Sequence, residues 1–172
     1  MNQKENSMPF HVRLSVPNDA HKIAALARTS NIADSKRKSK LSVEAILRDG
    51  FGKSPAFQAI IAETKQEITG YSIFYWGYDT HSASRGIYIA DLFVANHHRR
   101  SGIGSALVSF TANYCMDGGG KWMFWSVLKN NNAARTFYRK FAPELKDVLI
   151  CGAFGKSFEK ILSLNCIPKH QG

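Results

Sequence analysis

A chain of 172 residues is long enough to bury one hydrophobic core without disulfides or a structural metal. Hydrophobic residues make up 44% of it and aromatic residues 12%, which excludes a disordered protein, and no apolar run approaches the roughly 20 residues that a membrane-spanning helix needs. The net charge of +10 favours an anionic partner, either a nucleic acid or the polyphosphate end of a small molecule.

The cysteines and the N-terminal residues indicate the cellular compartment. Cys115, Cys151 and Cys166 have no C-x-x-C spacing, so we expect reduced thiols and neither a disulfide framework nor a zinc site. The opening residues, MNQKENSMPF, lack the apolar segment of a signal peptide. We therefore predict a cytoplasmic protein with one domain over residues 9–166 and tails at residues 1–8 and 167–172.

The first elements along the chain are predicted to be a strand and two short helices. Residues 10–16 alternate between apolar and polar, the period of a half-buried strand. Residues 17–19, Pro-Asn-Asp, end this strand and offer an N-cap to a helix that carries apolar residues through Ala27. Ser42 can cap a second helix, and Gly50 is its predicted end.

A basic connector separates these two helices, and a hairpin follows them. Residues 31–40, NIADSKRKSK, predict a solvated connector with four cationic side chains. Residues 57–63 and 68–78 are β-prone runs around a turn, which indicates an antiparallel hairpin. Most rings of the second run are expected to pack on the sheet, although Trp76 and Tyr78 could line an acceptor pocket near its end.

The centre of the chain predicts a strand, a cationic loop and a helix in immediate succession. Residues 87–94 form a β-prone apolar run, and apolar residues recur at helical spacing after Gly102. The first N–H groups of a helix lack intrahelical partners and lie at the positive end of its dipole. Since Arg99 and Arg100 add charge and the glycines remove Cβ atoms, residues 99–104 should bind an anion, and a pyrophosphate suits the loop best.

The last third of the chain predicts a parallel crossover and a further helix. Residues 121–128 fit a strand covered on both faces, so the helix before them should join two parallel strands and place the cationic loop at their carboxyl edge. Residues 130–132 can cap the next helix, whose inward face should carry Ala134, Phe137, Tyr138 and Phe141. Residues 147–153 suggest a strand, and the segment after Gly155 fits either a helix or a hairpin.

Two motifs in this order resemble the signatures of the GNAT superfamily of N-acetyltransferases. Arg99-Arg100-Ser101-Gly102-Ile103-Gly104 matches the (Gln/Arg)-x-x-Gly-x-(Gly/Ala) acyl-CoA loop. A second signature, N-x-x-A-x-x-(L/F)-Y-x-K, is matched about 30 residues later by Asn131, Ala134, Phe137, Tyr138 and Lys140. The order RLSVPNDAHKIAAL resembles the usual opening of the family, and the D-x-F-V run before the loop is similar to that of diamine (spermidine/spermine-type) acetyltransferases.

The resemblance implies both a fold and a reaction. The fold is a single α/β (α+β) domain with a central mixed, mostly antiparallel sheet, a parallel β-α-β acyl-CoA unit and a splayed strand pair. The implied enzyme is a CoA-dependent N-acyltransferase that moves an acetyl group from acetyl-CoA to a primary amine of a small molecule or protein by direct attack. The implied partners are coenzyme A and the acceptor amine, without a metal, and the family habit suggests a homodimer.

The resemblance also implies roles for individual residues. Tyr138 stands where the family has a general acid that protonates the departing thiolate. The backbone of the strand before the loop could polarise the thioester carbonyl if a bulge splays this strand from the next, and Asn131 looks like the contact to the pantetheine arm. The implied cofactor-binding residues are Leu92, Phe93, Val94, Arg99, Arg100, Ser101, Gly102, Ile103, Gly104, Ser105 and Asn131.

The sequence departs from the diamine enzymes at the acceptor side. Ala90 replaces the carboxylate that these enzymes carry just before Asp91. The base could then be Asp91, His97, His98 or a water relay, and the loss, together with the basic connector, argues against a free polyamine as acceptor. The alternatives are a basic nucleic-acid-binding module, for which neither an RNP-like strand nor a helix-turn-helix pattern is evident, and a non-catalytic acetyl-CoA-binding regulator.

Overall fold

The computed structural model describes residues 9–29 and 39–164. The chain divides between Ala134 and Arg135 into two compact units, and each is considered by itself below. The two tails, the cationic cluster at residues 36–38 and Cys166 lie outside the described residues, so the predictions made for them stay predictions. The same holds for the outer boundary of the domain predicted over residues 9–166.

Most of the regular structure belongs to the first unit. Its strands are β1 (His11–Leu14), β2 (Gln58–Glu63), β3 (Ile68–Asp79), β4 (Ser84–Val94) and β5 (Met123–Trp125). The helices are α1 (Ala20–Thr29), α2 (Val43–Phe51), α3 (Ile103–Asp117), α4 (Asn132–Tyr138), which begins in the first unit and ends in the second, and α5 (Lys156–Leu162) in the second unit. No described helix has the length and apolar character to cross a membrane.

The five strands form one mixed sheet in the order β1-β2-β3-β4-β5. The first four are antiparallel to their neighbours, whereas β5 runs parallel to β4 and is reached through α3. This confirms the predicted α/β fold with a mostly antiparallel sheet and a parallel β-α-β unit. Helices cover both faces: α1 and α2 pack on one and α3 on the other, because alternate residues of β2, β3 and β4 are apolar towards each side.

A bulge in β4 changes which face its later residues occupy. Ile73 of β3 pairs with Asp91 and Phe74 pairs with Ile89, so Ala90 has no partner across the ladder. Before the bulge, Ile89 packs in the cluster on the α3 face; after it, Asp91 lies opposite Ile73, which packs on the α1–α2 face. The extra residue therefore turns Asp91 towards α1 and α2, where a regular strand would have turned it towards α3.

The parallel pair β4 and β5 separates directly after the bulge. Only residues 87–89 of β4 pair with β5, so residues 92–94 have no strand on that side in the described part of the chain. This confirms the predicted splayed pair. The strand predicted at residues 121–128 is correspondingly too long, and Phe124 is 47% exposed although both faces were expected to be covered.

Two other predictions of secondary structure, each made from a local pattern, are wrong. Helix α2 continues through Gly50 and ends before Gly52, and residues 147–153 form no strand. The latter segment is β-prone, but no described strand pairs with it, and Leu149 is 88% exposed. Between the alternatives for the last segment, the structure has a helix, α5.

An ion-pair network ties β1 to the start of α1. The Arg13 guanidinium donates to both carboxylate oxygens of Asp19, at 2.7 and 3.0 Å, and to Glu63. Asp19 also accepts the Val16 N–H, so it caps the 3₁₀ turn Pro17–Asp19 that leads into α1. Burial by itself would raise the pKa of Asp19, but the hydrogen bonds from Arg13 and Val16 outweigh it and lower the pKa below its ordinary value.

Arg13→Met should destabilise the fold by about 3 kcal/mol, because it leaves the buried Asp19 carboxylate without its charged partner. Since the folded pKa of Asp19 is lowered, this stabilisation is present above the ordinary pKa of about 3.9 and is lost as the pH falls through the lowered value. Denaturant unfolding at pH 7 and pH 3 measures both effects. The control is Arg48→Met in an exposed pair with Asp49, where solvent screens the charges and a much smaller loss is expected. Equal losses in the two variants would contradict the argument.

Candidate functional site

The loop between β4 and α3 is held by its own side chains. It begins with a 3₁₀ turn at Asn96–His98. The Arg99 side chain folds back onto the end of β4, where Nε donates to the Val94 carbonyl at 3.1 Å and the guanidinium lies 5.7 Å from the centroid of the Phe93 ring. The Ser101 hydroxyl donates to the carbonyl of His98. These contacts place a positive charge beside the carboxyl end of the central strand.

Two residues of this loop have left-handed backbone conformations. Arg100 has a φ of 64° and Gly102 a φ of 89°. A Cβ at Gly102 would meet no heavy atom within 4 Å, so the conformation of the backbone, and not lack of space, requires glycine there. The same conformation strains the backbone of a non-glycine residue such as Arg100, and strain of this kind is often found in functional loops.

Helix α3 presents unpaired amides to the space above this loop. Its ladder begins with the bond from the Ala106 N–H to the Gly102 carbonyl, so the N–H groups of Ile103, Gly104 and Ser105 have no acceptor within the helix. The buried Ile103 side chain anchors this first turn in the core on the α3 face, while Ser105 is exposed. The structure thus brings together seven of the predicted cofactor residues, 99–105, in one site suited to a phosphate or pyrophosphate.

The three predicted cofactor residues of β4 lie next to this anion site. Residues 92–94 bond to β3 on one side, with Leu92 opposite Ser72 and Val94 opposite Gly70. On the β5 side no strand of the described residues pairs with them, because the parallel pair has already separated. Their backbone groups on that side can accept or donate hydrogen bonds to an extended ligand that enters the gap between the strands.

A hydrogen-bonded carboxyl group stands beside this gap on the α1–α2 side. The Tyr71 hydroxyl donates to Asp91 Oδ2 at 2.7 Å. Solvent reaches Asp91, yet the protein packed around its carboxyl group desolvates it and raises its pKa, with the hydrogen bond from Tyr71 opposing the shift. Desolvation and the neighbouring Asp91 charge also raise the pKa of Tyr71, which therefore remains a donor.

Of the base candidates from the sequence, the two histidines have a different environment. The Nε2 atoms of His97 and His98 both face Oε1 of Glu67 in the β2–β3 turn, at 3.3 and 2.9 Å. Glu67 was not expected at any site, and no sequence signal could have pointed to it, because it is 30 residues from His97. Among the base candidates Asp91, His97 and His98, Asp91 is the one on β4 itself, with its carboxyl group hydrogen-bonded to Tyr71.

A cleft of about 430 Å³ opens at the same end of the sheet. Its wall comes from α1, the β2–β3 turn and the residues directly after β4: Lys22, Ala25, Leu26, Thr29, Gln66, Glu67, Ile68, Ala95, Asn96 and His97. Trp76 and Tyr78, suggested for an acceptor pocket, do not lie at this cleft. They pair with Ile87 and Arg85 at the opposite end of β4. Trp76 instead packs against Tyr114 and the turn at Gly118.

The residues of the second signature lie on and around α4. Asn131 Oδ1 accepts the N–H of Ala134 at 3.1 Å, which confirms the predicted cap. Tyr138 is the last residue of the helix; it is half-buried, and its ring packs edge-on against Phe137 and Phe141. The predicted inward face is thus half-buried at Tyr138 and exposed at Phe141. The roles predicted for Asn131 and Tyr138 stay predictions.

The second unit has its own ion-pair cluster just after this helix. Arg135 and Arg139 both donate to the Glu144 carboxylate, at 2.9 to 3.0 Å. The hydrogen bond from Arg135 is the main cause that lowers the pKa of Glu144 to about 2. These charges link α4 to the segment that follows Pro143.

Comparison with known proteins finds a family match for most of this chain. The acetyltransferase (GNAT) family model matches residues 22–142. The thialysine N-epsilon-acetyltransferase of Bos taurus is 32% identical over 108 residues, which cover 58% of this chain and 63% of that protein. The spermidine/spermine N(1)-acetyltransferase-like protein 1 of Homo sapiens is 26% identical over 123 residues, 67% of this chain and 17% of its own length. The chain therefore spans less than two thirds of these curated relatives.

A solved structure extends the comparison to the fold. An integron cassette protein from V. cholerae superposes with a TM-score of 0.77 over 91% of this chain and 99% of its own, at 16% sequence identity. At that identity the likeness concerns the fold alone.

Proposed function

Since this chain belongs to the acetyltransferase (GNAT) family, we propose that it transfers an acetyl group from acetyl-CoA to a primary amine of a small molecule or protein. The observation that carries the proposal is the anion site at residues 99–105 beside an open strand edge at residues 92–94. A pyrophosphate and an extended thioester arm need this pair of features side by side. Both signatures, at residues 99–104 and 131–140, lie within the residues that the family model matches.

Acetyl-CoA is the substrate that this site is proposed to hold. The pyrophosphate would accept hydrogen bonds from the amides of residues 103–105, with Arg99 and Arg100 neutralising its charge. The backbone of residues 92–94 would bind the pantetheine arm and polarise the acetyl carbonyl, whose oxygen gains negative charge as the amine attacks. The resemblance adds Asn131 as a contact to the same arm.

The proposed reaction is a direct transfer with two proton steps. The neutral amine forms a bond to the thioester carbon, and the carbon–sulfur bond breaks as the thiolate departs. Asp91 is the proposed base that takes a proton from the amine, since the protein packed around its carboxyl group raises its pKa and makes it a stronger base. Tyr138 is the proposed acid: a phenol, with an ordinary pKa of about 10, can donate to a thiolate whose thiol has a pKa of about 8.5.

We further propose that the acceptor is a small amine that also carries a carboxylate. Lys22 lines the cleft at this end of the sheet and offers a counter-charge. Ala90, in the bulge, supplies no second carboxylate for a polycation. The relative named for thialysine, an amino acid with a side-chain amine, acts on a molecule of this class. Neither alternative from the sequence, a nucleic-acid module or a non-catalytic regulator, is favoured by an observation in the described residues.

A screen of amines with acetyl-CoA, followed by the release of thiol, tests this proposal. Amino acids with side-chain amines should be turned over, and polyamines and lysine-containing peptides should be poorer acceptors. Absence of thiol release with every amine class would contradict the enzyme assignment. Saturable turnover of spermidine with a better kcat/KM than the amino acids would contradict only the acceptor class. The homodimer and the cytoplasmic location stay predictions.

Asp91→Asn should lower kcat/KM at pH 7 by about 10²-fold, because the amide keeps the shape of the side chain but cannot take a proton. The loss should shrink at high pH, where a growing fraction of the acceptor amine is already neutral. Acetyl-CoA affinity should not change. The matched control, Asp117→Asn on the exposed end of α3, should keep full activity. Wild-type turnover by Asp91→Asn at pH 7 would show that solvent, and not Asp91, removes the proton.

A further inference from the structure

The three residues that meet at the β2–β3 turn have the chemistry of a metal site. Glu67, His97 and His98 each offer one ligand atom, and these atoms all lie within 4.8 Å of one another. Two imidazoles and one carboxylate form a donor set that suits Zn²⁺ and related divalent transition metals better than Mg²⁺ or Ca²⁺, which prefer oxygen alone. Cysteine spacing indicated no metal site in this sequence, and these three ligands come from two segments that are distant along the chain.

The two distances from the imidazole nitrogens to the carboxylate oxygen are close to those of ligands that share one ion. Two donors about 2.1 Å from one ion, at angles between those of octahedral and tetrahedral sites, lie about 3.0 to 3.4 Å apart. The Nε2 atoms of His98 and His97 lie 2.9 and 3.3 Å from Glu67 Oε1. The same nitrogen of both rings faces the same oxygen, so a small change in side-chain torsion would let one ion replace the two hydrogen bonds.

We propose that Glu67, His97 and His98 bind a divalent metal ion of the zinc class at the mouth of the cleft. Glu67 and His97 also line that cleft. The side chains of Glu67 and His97 are 53% and 68% exposed, so an ion can reach them without unfolding and can complete its coordination with water or with a ligand in the cleft. The ion would join the β2–β3 turn to the 3₁₀ turn at Asn96–His98.

The position of the site connects it to the anion-binding loop. His98 directly precedes Arg99, and its carbonyl accepts the Ser101 hydroxyl. An ion that fixes residues 97 and 98 would hold the start of the loop and add positive charge near the phosphates of the donor. Both effects favour the bound state, so a metal-loaded protein should bind acetyl-CoA about 3- to 10-fold more tightly. This consequence rests on the proposed function, whereas the metal site does not.

Isothermal titration of tag-free protein with Zn²⁺ tests the site itself. The wild type should bind one ion at this site, and Glu67→Gln and His98→Gln should each weaken binding at least tenfold. The matched control, His81→Gln, removes an exposed histidine of the β3–β4 turn and should bind Zn²⁺ as the wild type does. Thermal unfolding without metal shows whether the variants are folded, and Zn²⁺ should raise the melting temperature of the wild type but not of Glu67→Gln.

The outcomes separate the two parts of the inference. Absence of Zn²⁺ binding, or equal binding by folded His98→Gln and His81→Gln, would overturn the metal site. Acetyl-CoA titrations with and without saturating Zn²⁺, in the wild type and in His98→Gln, test the connection to the loop. An affinity that does not change with Zn²⁺ in the wild type would overturn that connection alone. Failure of the protein to bind acetyl-CoA at all would instead count against the proposed function.

Discussion

Tyr138→Phe should lower turnover by about 10²- to 10⁴-fold while folding and acetyl-CoA affinity are unchanged. The substitution removes a proton donor and keeps the ring, whose contacts with Phe137 and Phe141 at 5.0 and 5.9 Å between centroids do not need the hydroxyl. The expectation rests on the second signature, in which this tyrosine follows Asn131 at the family spacing. Thiol release under saturating acetyl-CoA, with an acceptor for which chemistry is rate-limiting, measures the effect.

Two further variants separate catalysis by Tyr138 from packing. Tyr78→Phe removes the hydroxyl of an exposed tyrosine on β3 and should leave turnover unchanged. Tyr138→Ala removes the ring as well, and its stability loss reports how much the ring packs. If Tyr138→Phe turned over as fast as the wild type while the alanine variant lost stability, Tyr138 would be a packing residue and the thiolate would take its proton from water.

Gly104→Val should raise the dissociation constant of acetyl-CoA by about 10²-fold. A branched side chain in the first turn of α3 would keep the pyrophosphate from the amides of residues 103–105. The loss of two charge-assisted hydrogen bonds of about 1.5 kcal/mol each corresponds to a factor of that size. Calorimetric titration measures the affinity. Gly104 is the better position than Gly102, because the φ of 89° at Gly102 would strain any side chain and confuse binding with folding.

The control for this variant lies on the same helix. Ser109→Val places the same branched side chain at an exposed position more than one turn further along α3, without approaching the loop. It should bind acetyl-CoA as the wild type does. A folded Gly104→Val protein with wild-type affinity would mean that the donor does not approach the first turn of α3, and the anion site would have to be abandoned as the donor site.

Local patterns in the sequence were enough to predict the strand, the cationic loop and the helix N-terminus that we propose as an anion site. Gly102, Arg99 and the strand before them are consecutive in the chain, and the chemistry of a helix N-terminus depends only on the residues around it. The hairpin of β2 and β3 and the cap at Ser42 followed from local patterns for the same reason. The predicted end of α2 was wrong, because a packed helix can continue through a glycine. The strand predicted at residues 147–153 was wrong, because a β-prone segment forms a strand only where a neighbouring strand pairs with it.

The sequence by itself determined the family, the order of the elements from β1 to α4, and the loop whose backbone conformation requires Gly102. Only the tertiary structure decided which face Asp91 occupies, where β4 and β5 part, and that Glu67 meets His97 and His98. A bulge shifts a strand by one residue through its pairing with a neighbour, and a cluster of ligands forms where distant segments are folded together. Neither depends on the spacing of residues along the chain, and both therefore become visible only when the sheet is assembled.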